Sequence, residues 1–297
     1  MDEIQVTEMR FPAAGIELSG IIAAPRDGAP RAVVFGLPGG GMRAGFFHSR
    51  AEPRLSLVSL GAALGFTVIA LDRPGYGASA NALGGRITMP DQARILYAMY
   101  DEYARAHPVG AGLCLVAHSF GMEVTLQMAA LERGAELVGI DCSGVGIRFG
   151  PELAAMRAGV PPERAIASRE RQRELFWGPD ALYPPGTISA ANLPVADVPP
   201  VEALETQQWP DVYPALAREV RVPIRISMAD HEQWWPIDPQ TLAQTRALFV
   251  NSPRVEVAIQ PHAGHNISLG RVARAYHLKA FAFFEECLLA RELGLRA

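Results

Sequence analysis

The sequence predicts an α/β fold, a mostly parallel sheet with helices on both faces and a mainly helical and loop insertion after the sixth strand. Three observations carry this. Apolar runs at residues 32–35, 66–71, 113–116 and 137–140 have the unbroken hydrophobicity of strands buried on both faces. Helical stretches separate them, and strand alternating with helix implies parallel winding. One strand enters its helix through Ala117-His118-Ser119-Phe120-Gly121, a turn that needs small residues two positions before and after its serine.

Taken in order, alternating segments near residues 4–9 and 16–22 bracket Pro12 and Gly15 and read as an antiparallel hairpin. Strand 32–35 runs into a glycine-rich loop and then a helix near 55–63. Strand 66–71 leads through Asp72-Arg73-Pro74-Gly75-Tyr76-Gly77-Ala78-Ser79 to a helix over 91–105. Strand 113–116 meets the serine turn and a helix over 122–131, closed by Gly134. After strand 137–140 the rhythm breaks. Residues 144–220 hold eleven of the 24 prolines, yet carry Phe149, Phe176, Trp177, Tyr183, Trp209 and Tyr213. A disordered linker is poor in aromatics, so this reads as an ordered insertion of short helices and proline-fixed loops. A seventh strand follows over 222–227. The eighth, 255–259, alternates with polar residues and is expected at an edge. The closing helix places Val272, Tyr276, Ala280, Phe283 and Cys287 on one face at 3.6-residue spacing. The expected organisation is a core of residues 1–143 and 221–297 with an insertion at 144–220.

The chain has 297 residues, 49% of them apolar and 20% charged, enough for one large core plus an insertion. A net charge of −4 gives no reason to expect nucleic acid or anionic lipid as a partner. Met1-Asp2-Glu3 is an acidic opening without the basic and apolar regions of a secretory signal. No apolar run approaches the roughly 20 residues of a membrane span. A cytoplasmic protein without a membrane partner is therefore expected. Cys114, Cys142 and Cys287 are odd in number and apolar in setting, which reads as reduced core thiols. No cluster has metal-ligand spacing, so no metal and no cofactor are expected.

Four stretches carry chemistry. The strand–serine–helix turn lifts the Ser119 hydroxyl out of the sheet and aims the first helical amides at it, Phe120 N–H included. A helix N-terminus is electropositive and suits a developing negative charge. The plainer alternative is a serine in an ordinary strand–helix turn. Gly36-Leu37-Pro38-Gly39-Gly40-Gly41 follows a strand, and its glycines let the backbone approach a ligand closely; a merely flexible loop is the alternative. His262 and His265 both follow the last strand, where a general base facing the serine would stand. Asp230 and Glu232 follow the seventh strand and would point to the same side of an extended segment, so pattern alone does not separate them.

With these residues in view, the chain resembles the α/β-hydrolase superfamily over nearly its whole length. The serine turn, the chain order of the candidates and the place of the insertion match that family, in which a cap commonly follows the sixth strand and a triad runs nucleophile, acid, base. The resemblance implies Ser119 as nucleophile, His265 as base and Glu232 as acid. Glu232 is chosen because Ala229 stands where the family often has glycine, and Pro236 falls four residues beyond. Asp230 is the rival, and Asp141 a more distant one. Residues 36–41 look like the family's His-Gly-Gly oxyanion loop with Pro38 in the histidine position, implying donors at Gly39 or Gly40 beside Phe120. Residues 72–79 resemble its Asp-x-x-Gly-x-Gly-x-Ser turn and read as structural, with Asp72 and Arg73 bonding locally. His118 reads as structural too.

The activity so implied is hydrolysis of a small-molecule acyl substrate, an ester, thioester or lactone, through an acyl-enzyme. Aromatic residues including Trp177 and Trp234 would line an apolar substrate part, or pack the insertion on the core. An acyltransferase or a carbon–carbon bond hydrolase would use the same residues. Serine at the nucleophile position disfavours an aspartate-nucleophile epoxide or haloalkane hydrolase. A non-catalytic ligand-binding protein on the same fold is the reading of another class.

Overall fold

The computed structural model describes residues 4–295; the acidic opening at Met1 to Glu3 lies outside them. Strands β1 (Thr7–Ala13) and β2 (Ile16–Ala23) form the expected hairpin. Its two-residue loop, Ala14-Gly15, has φ of 48° and 80°, the left-handed pair that matches strand twist. Pro12 lies inside β1, paired with Glu17, rather than bounding it. It is tolerated because β1 is an edge strand.

Six further strands complete one eight-stranded sheet: β3 (Val33–Leu37), β4 (Thr67–Leu71), β5 (Leu113–His118), β6 (Gly139–Ser143), β7 (Ile224–Ala229) and β8 (Val255–Gln260). The order is β1-β2-β4-β3-β5-β6-β7-β8, and β2 pairs antiparallel with β4 while β3 to β8 run parallel. β3 to β7 are buried throughout and β8 is the half-wet edge.

Alternate residues of the strands face two apolar layers. Val34, Val68, Cys114 and Val116 pack on α1 (Leu57–Ala63) and the closing helix, while Phe35, Ile69 and Leu115 pack on α2 (Met89–Ala106) and α3 (Phe120–Ala130). A capping box starts α2: the Thr88 side chain accepts from Asp91 N–H, and Asp91 accepts in return from the Thr88 N–H.

The segment between β6 and β7 contains α4 (Pro151–Arg157), α5 (Pro162–Ala165), α6 (Arg169–Trp177), α7 (Pro200–Gln207) and α8 (Trp209–Glu219). Four of these five helices carry a proline in their first turn. There the missing N–H costs nothing and the fixed φ is already helical. Trp209 and Tyr213 of α8 stack and are buried in the core layer below, and the Trp209 indole donates to Gly146 O at 3.2 Å.

Between β7 and β8 lies α9 (Pro239–Leu248), absent from the sequence expectation. Thr241 and Thr245 occupy its buried positions, so it has no apolar stripe; its signals are the Asp238 cap, which accepts from Thr241 N–H, and Pro239. α10 (Ala273–Glu292) closes the chain and buries Tyr276, Ala280, Phe283 and Cys287. The three cysteines are buried and unpaired. Among the described residues no helix is long and apolar enough to cross a membrane.

Candidate active site

Ser119 sits between β5 and α3 with φ 51° and ψ −128°, a conformation L-residues rarely adopt. Such backbone costs on the order of 1–3 kcal/mol and persists only when its surroundings enforce it. Here they do. Ser119 N–H donates to Ser143 O at 2.8 Å, and Ser119 O accepts from Met122 N–H at 2.7 Å. A Cβ at Gly121 would lie 2.1 Å from Leu37 O, so only glycine lets α3 start this close to β3. As the first residue of α3, Phe120 has one of the amides a helix leaves without an internal acceptor.

The glycine loop follows β3 and lies against the serine. A Cβ on Gly39 would stand 2.9 Å from the Ser119 Cβ, and one on Gly40 would stand 2.5 Å from the Phe120 ring. The Gly41 N–H donates to the Tyr76 hydroxyl at 3.3 Å, which leaves the Gly39 and Gly40 amides as the loop's candidates to face a ligand.

His265 follows β8 and is buried. Its Nδ1 is 2.7 Å from Glu232 Oε2. A carboxylate only accepts, so Nδ1 carries the proton and Nε2 is the free acceptor. The other oxygen, Glu232 Oε1, accepts from Gln233 N–H at 3.1 Å and Trp234 N–H at 2.9 Å. Both rivals are occupied elsewhere. Asp230 accepts from the His262 and Ala263 N–H groups at 2.8 and 2.9 Å and so ties down the histidine loop; burial opposes its charge, but these two bonds hold its pKa below the usual range. Asp141 is buried against Arg225 and the Tyr276 hydroxyl. His262, at φ 60°, is exposed.

His118 joins the serine turn to His265. Its ring stacks on Phe46 at 4.7 Å and lies 4.8 Å from the His265 ring, with Nδ1 3.1 Å from Ser143 Oγ. Burial, with a smaller effect from His265, pushes its pKa well down, so it stays neutral.

The remaining candidates pack where the segment between β6 and β7 meets the loops after β7 and β8. Trp234 meets Phe176 edge-to-face, Trp235 lies on Phe149, and Trp177 meets Tyr183 edge-to-face. Asn266, next to His265, donates to Phe176 O at 2.9 Å. The turn expected to bond locally does so through its backbone, with Tyr76 N–H donating to Arg73 O at 2.9 Å, but the hydrogen bonds of the Asp72 and Arg73 side chains reach beyond it. Asp72 accepts from Ser19, Arg43 and the Ala44 N–H, and Arg73 reaches Pro38, Gln92 and Glu202. Sequence reasoning gave Tyr76 no part beyond its place in the recognised turn, and it missed Glu202, which nothing nearby marked.

The chain belongs to the alpha/beta hydrolase family, whose model matches residues 33–275. Among solved structures it is similar to a highly thermostable carboxyl esterase from Bacillus coagulans, with TM-score 0.68 and 18% identity over 96% of this chain and 99% of that one. A 2-hydroxy-6-oxo-6-phenylhexa-2,4-dienoate hydrolase from Rhodococcus sp. strain RHA1 gives 0.66 and 19% over 95% and 99%. The thioesterase domain from the curacin biosynthetic pathway gives 0.59 and 15% over 93% and 99%. At these identities the likeness is one of fold. Comparison with curated protein sequences gives no match.

Proposed function

We propose that the protein is a serine hydrolase that cleaves a carboxylic ester, thioester or lactone through an acyl-enzyme. The Ser119 hydroxyl attacks the carbonyl carbon while His265 Nε2 takes its proton. Negative charge on the carbonyl oxygen is held by the Phe120 amide and by Gly39 or Gly40, each such donor contributing about 3 kcal/mol. As the tetrahedral intermediate collapses, the bond to the leaving group breaks and His265 returns the proton to it. Water then repeats the attack on the acyl-enzyme, giving its proton to His265, and the acid leaves as the proton goes back to Ser119. Glu232 fixes the imidazole tautomer and stabilises the imidazolium. Residues 144–220 act as a cap, and Trp234 and Trp177 border the space for an apolar substrate part.

The observations that carry this reading are the buried 2.7 Å bond between His265 and Glu232, the contact of the His265 ring with His118, which precedes Ser119 in the turn, and the positive φ of Ser119 itself. A receptor on the same fold has no use for that strain or that bond. The test is labelling by a fluorophosphonate, read by intact mass. Wild type is expected to gain one adduct, mapped to Ser119, and Ser119→Ala to gain none while keeping its Tm. An unlabelled wild type, or an adduct surviving in Ser119→Ala, refutes the serine mechanism. Competing alcohols and amines then separate water from another acyl acceptor, and a diketone panel tests carbon–carbon cleavage.

A further inference from the structure

Arg73 is fully buried, and its guanidinium touches three elements. Nε donates to Pro38 O at 2.7 Å, Nη1 to Gln92 Oε1 and Glu202 Oε2 at 2.7 Å each, and Nη2 to Glu202 Oε1 at 2.8 Å. Glu202 comes from α7 in the insertion and is itself fully buried. It also accepts from the Tyr76 hydroxyl and from Gln92 Nε2. Burial alone would raise the Glu202 carboxyl, but Arg73, Tyr76 and Gln92 bring it below the usual carboxylate range, so the pair is ionised. The Tyr76 hydroxyl in turn accepts from Gly41 N–H. Both ends of the Pro38–Gly41 stretch are therefore tied to one carboxylate, the carbonyl end through Arg73 and the amide end through Tyr76.

A second tie runs along the backbone. Met42 and Val195 form an antiparallel bridge, with Arg43 N–H donating to Pro194 O at 2.7 Å and Ala196 N–H to Gly41 O at 2.9 Å. The insertion thus grips the glycine loop twice.

Net stability does not account for this arrangement. A buried ion pair gains little over well-packed apolar side chains, because desolvation offsets its attraction. What a bidentate guanidinium supplies is fixed geometry. Three consecutive glycines need it, since their peptide planes are otherwise free to turn. A turned plane would point an amide away from Ser119.

We propose that Arg73 and Glu202 are positioning residues that hold the Pro38–Gly41 backbone with its amides facing Ser119, so that the oxyanion hole is complete only when α7 is docked. This rests on the serine-hydrolase reading above. A misplacement of about 1 Å at such a site can cost about 10²-fold in rate.

The test follows fluorophosphonate inactivation of the full chain, separating the limiting rate kinact from the binding constant KI. Arg73→Lys keeps the charge but loses the Nε–H to Pro38. The double variant Arg73→Met with Glu202→Met removes both charges together, but it leaves the Pro38 carbonyl, the Gln92 amide and the Tyr76 hydroxyl without these buried partners, at about 1–3 kcal/mol each. In both, kinact is expected to fall about 10- to 100-fold with KI within about threefold of wild type, measured at a temperature where the double variant, which should have the lower Tm, is folded. Unchanged kinact in folded Arg73→Lys overturns the proposal, as does a loss carried wholly by KI. Should the double variant not fold, Arg73→Lys decides alone. A labelled wild type with an unaffected Arg73→Lys removes only the positioning role. An unlabelled wild type removes the underlying mechanism with it.

Discussion

Replacing Glu232 by glutamine tests the proposed mechanism through a single proton. Oε1 of Glu232 accepts two backbone N–H groups, from Gln233 and Trp234, and Oε2 accepts the His265 Nδ1–H. In Glu232→Gln the amide oxygen stays with the two backbone donors, because the alternative turns an NH₂ onto two N–H groups. The NH₂ then faces Nδ1, which must accept. The imidazole proton moves to Nε2, and Nε2 can no longer take a proton from Ser119. A wrong tautomer with intact geometry costs about 10⁴ in turnover. That is about 5 kcal/mol at 1.36 kcal/mol per decade. Asp230→Asn is the paired control. It loses one of two backbone bonds at an exposed carboxylate, worth about 1 kcal/mol of stability, and should keep activity within about tenfold. The assay is hydrolysis of 4-nitrophenyl butyrate, with fluorophosphonate labelling rates as a substrate-independent check and Tm as the control for folding. Glu232→Gln within tenfold of wild type would refute the assignment. A thousandfold loss in Asp230→Asn would transfer the role to Asp230.

Two further outcomes follow from buried groups. Burial pushes the Glu123 carboxyl well above its usual range, offset only in part by the bond from Thr206 Oγ1. Glu123 is then protonated when folded and ionised when unfolded above about pH 4, so folding takes up a proton and wild-type stability falls as pH rises past that point. Glu123→Gln removes this pH-dependent loss, and its Tm advantage should be small at pH 4 and grow toward pH 8; equal differences at both would show the carboxyl to be unshifted. Trp209→Ala deletes a buried indole stacked on Tyr213 and its bond to Gly146 O, and should cost about 3–5 kcal/mol in urea unfolding; a loss under 1 kcal/mol would mean that α8 is not docked on the core.

What could be read from the sequence divides along physical lines. β3 to β5 were legible because parallel strands covered on both faces are apolar at nearly every position, and the serine turn because its sterics leave few residue choices; β6 (Gly139–Ser143) was expected two to three residues early, at 137–140, because Asp141 and Ser143 break its apolar run. α9 was not, because threonine hydroxyls satisfied within the helix fill its inward positions and leave no hydrophobic period. Asp230 and Glu232 differ only in where the chain turns after β7, which sends one carboxylate to backbone amides and the other to an imidazole. Arg73 and Glu202 lie on separate elements, and a buried pair that closes so long a loop has no local signature.

The buried thiols have a practical consequence. Cys114 lies near the start of β5 and Cys142 near the end of β6, while Cys287 of α10 approaches Gly139 of β6. Burial raises all three, Cys287 to about 12, so the folded protein holds almost no thiolate for an alkylating reagent to find. Each thiol reacts only when its own strand or helix opens. Iodoacetamide followed by peptide mapping therefore times the opening of the two central strands and the closing helix separately, using reporters the chain already carries.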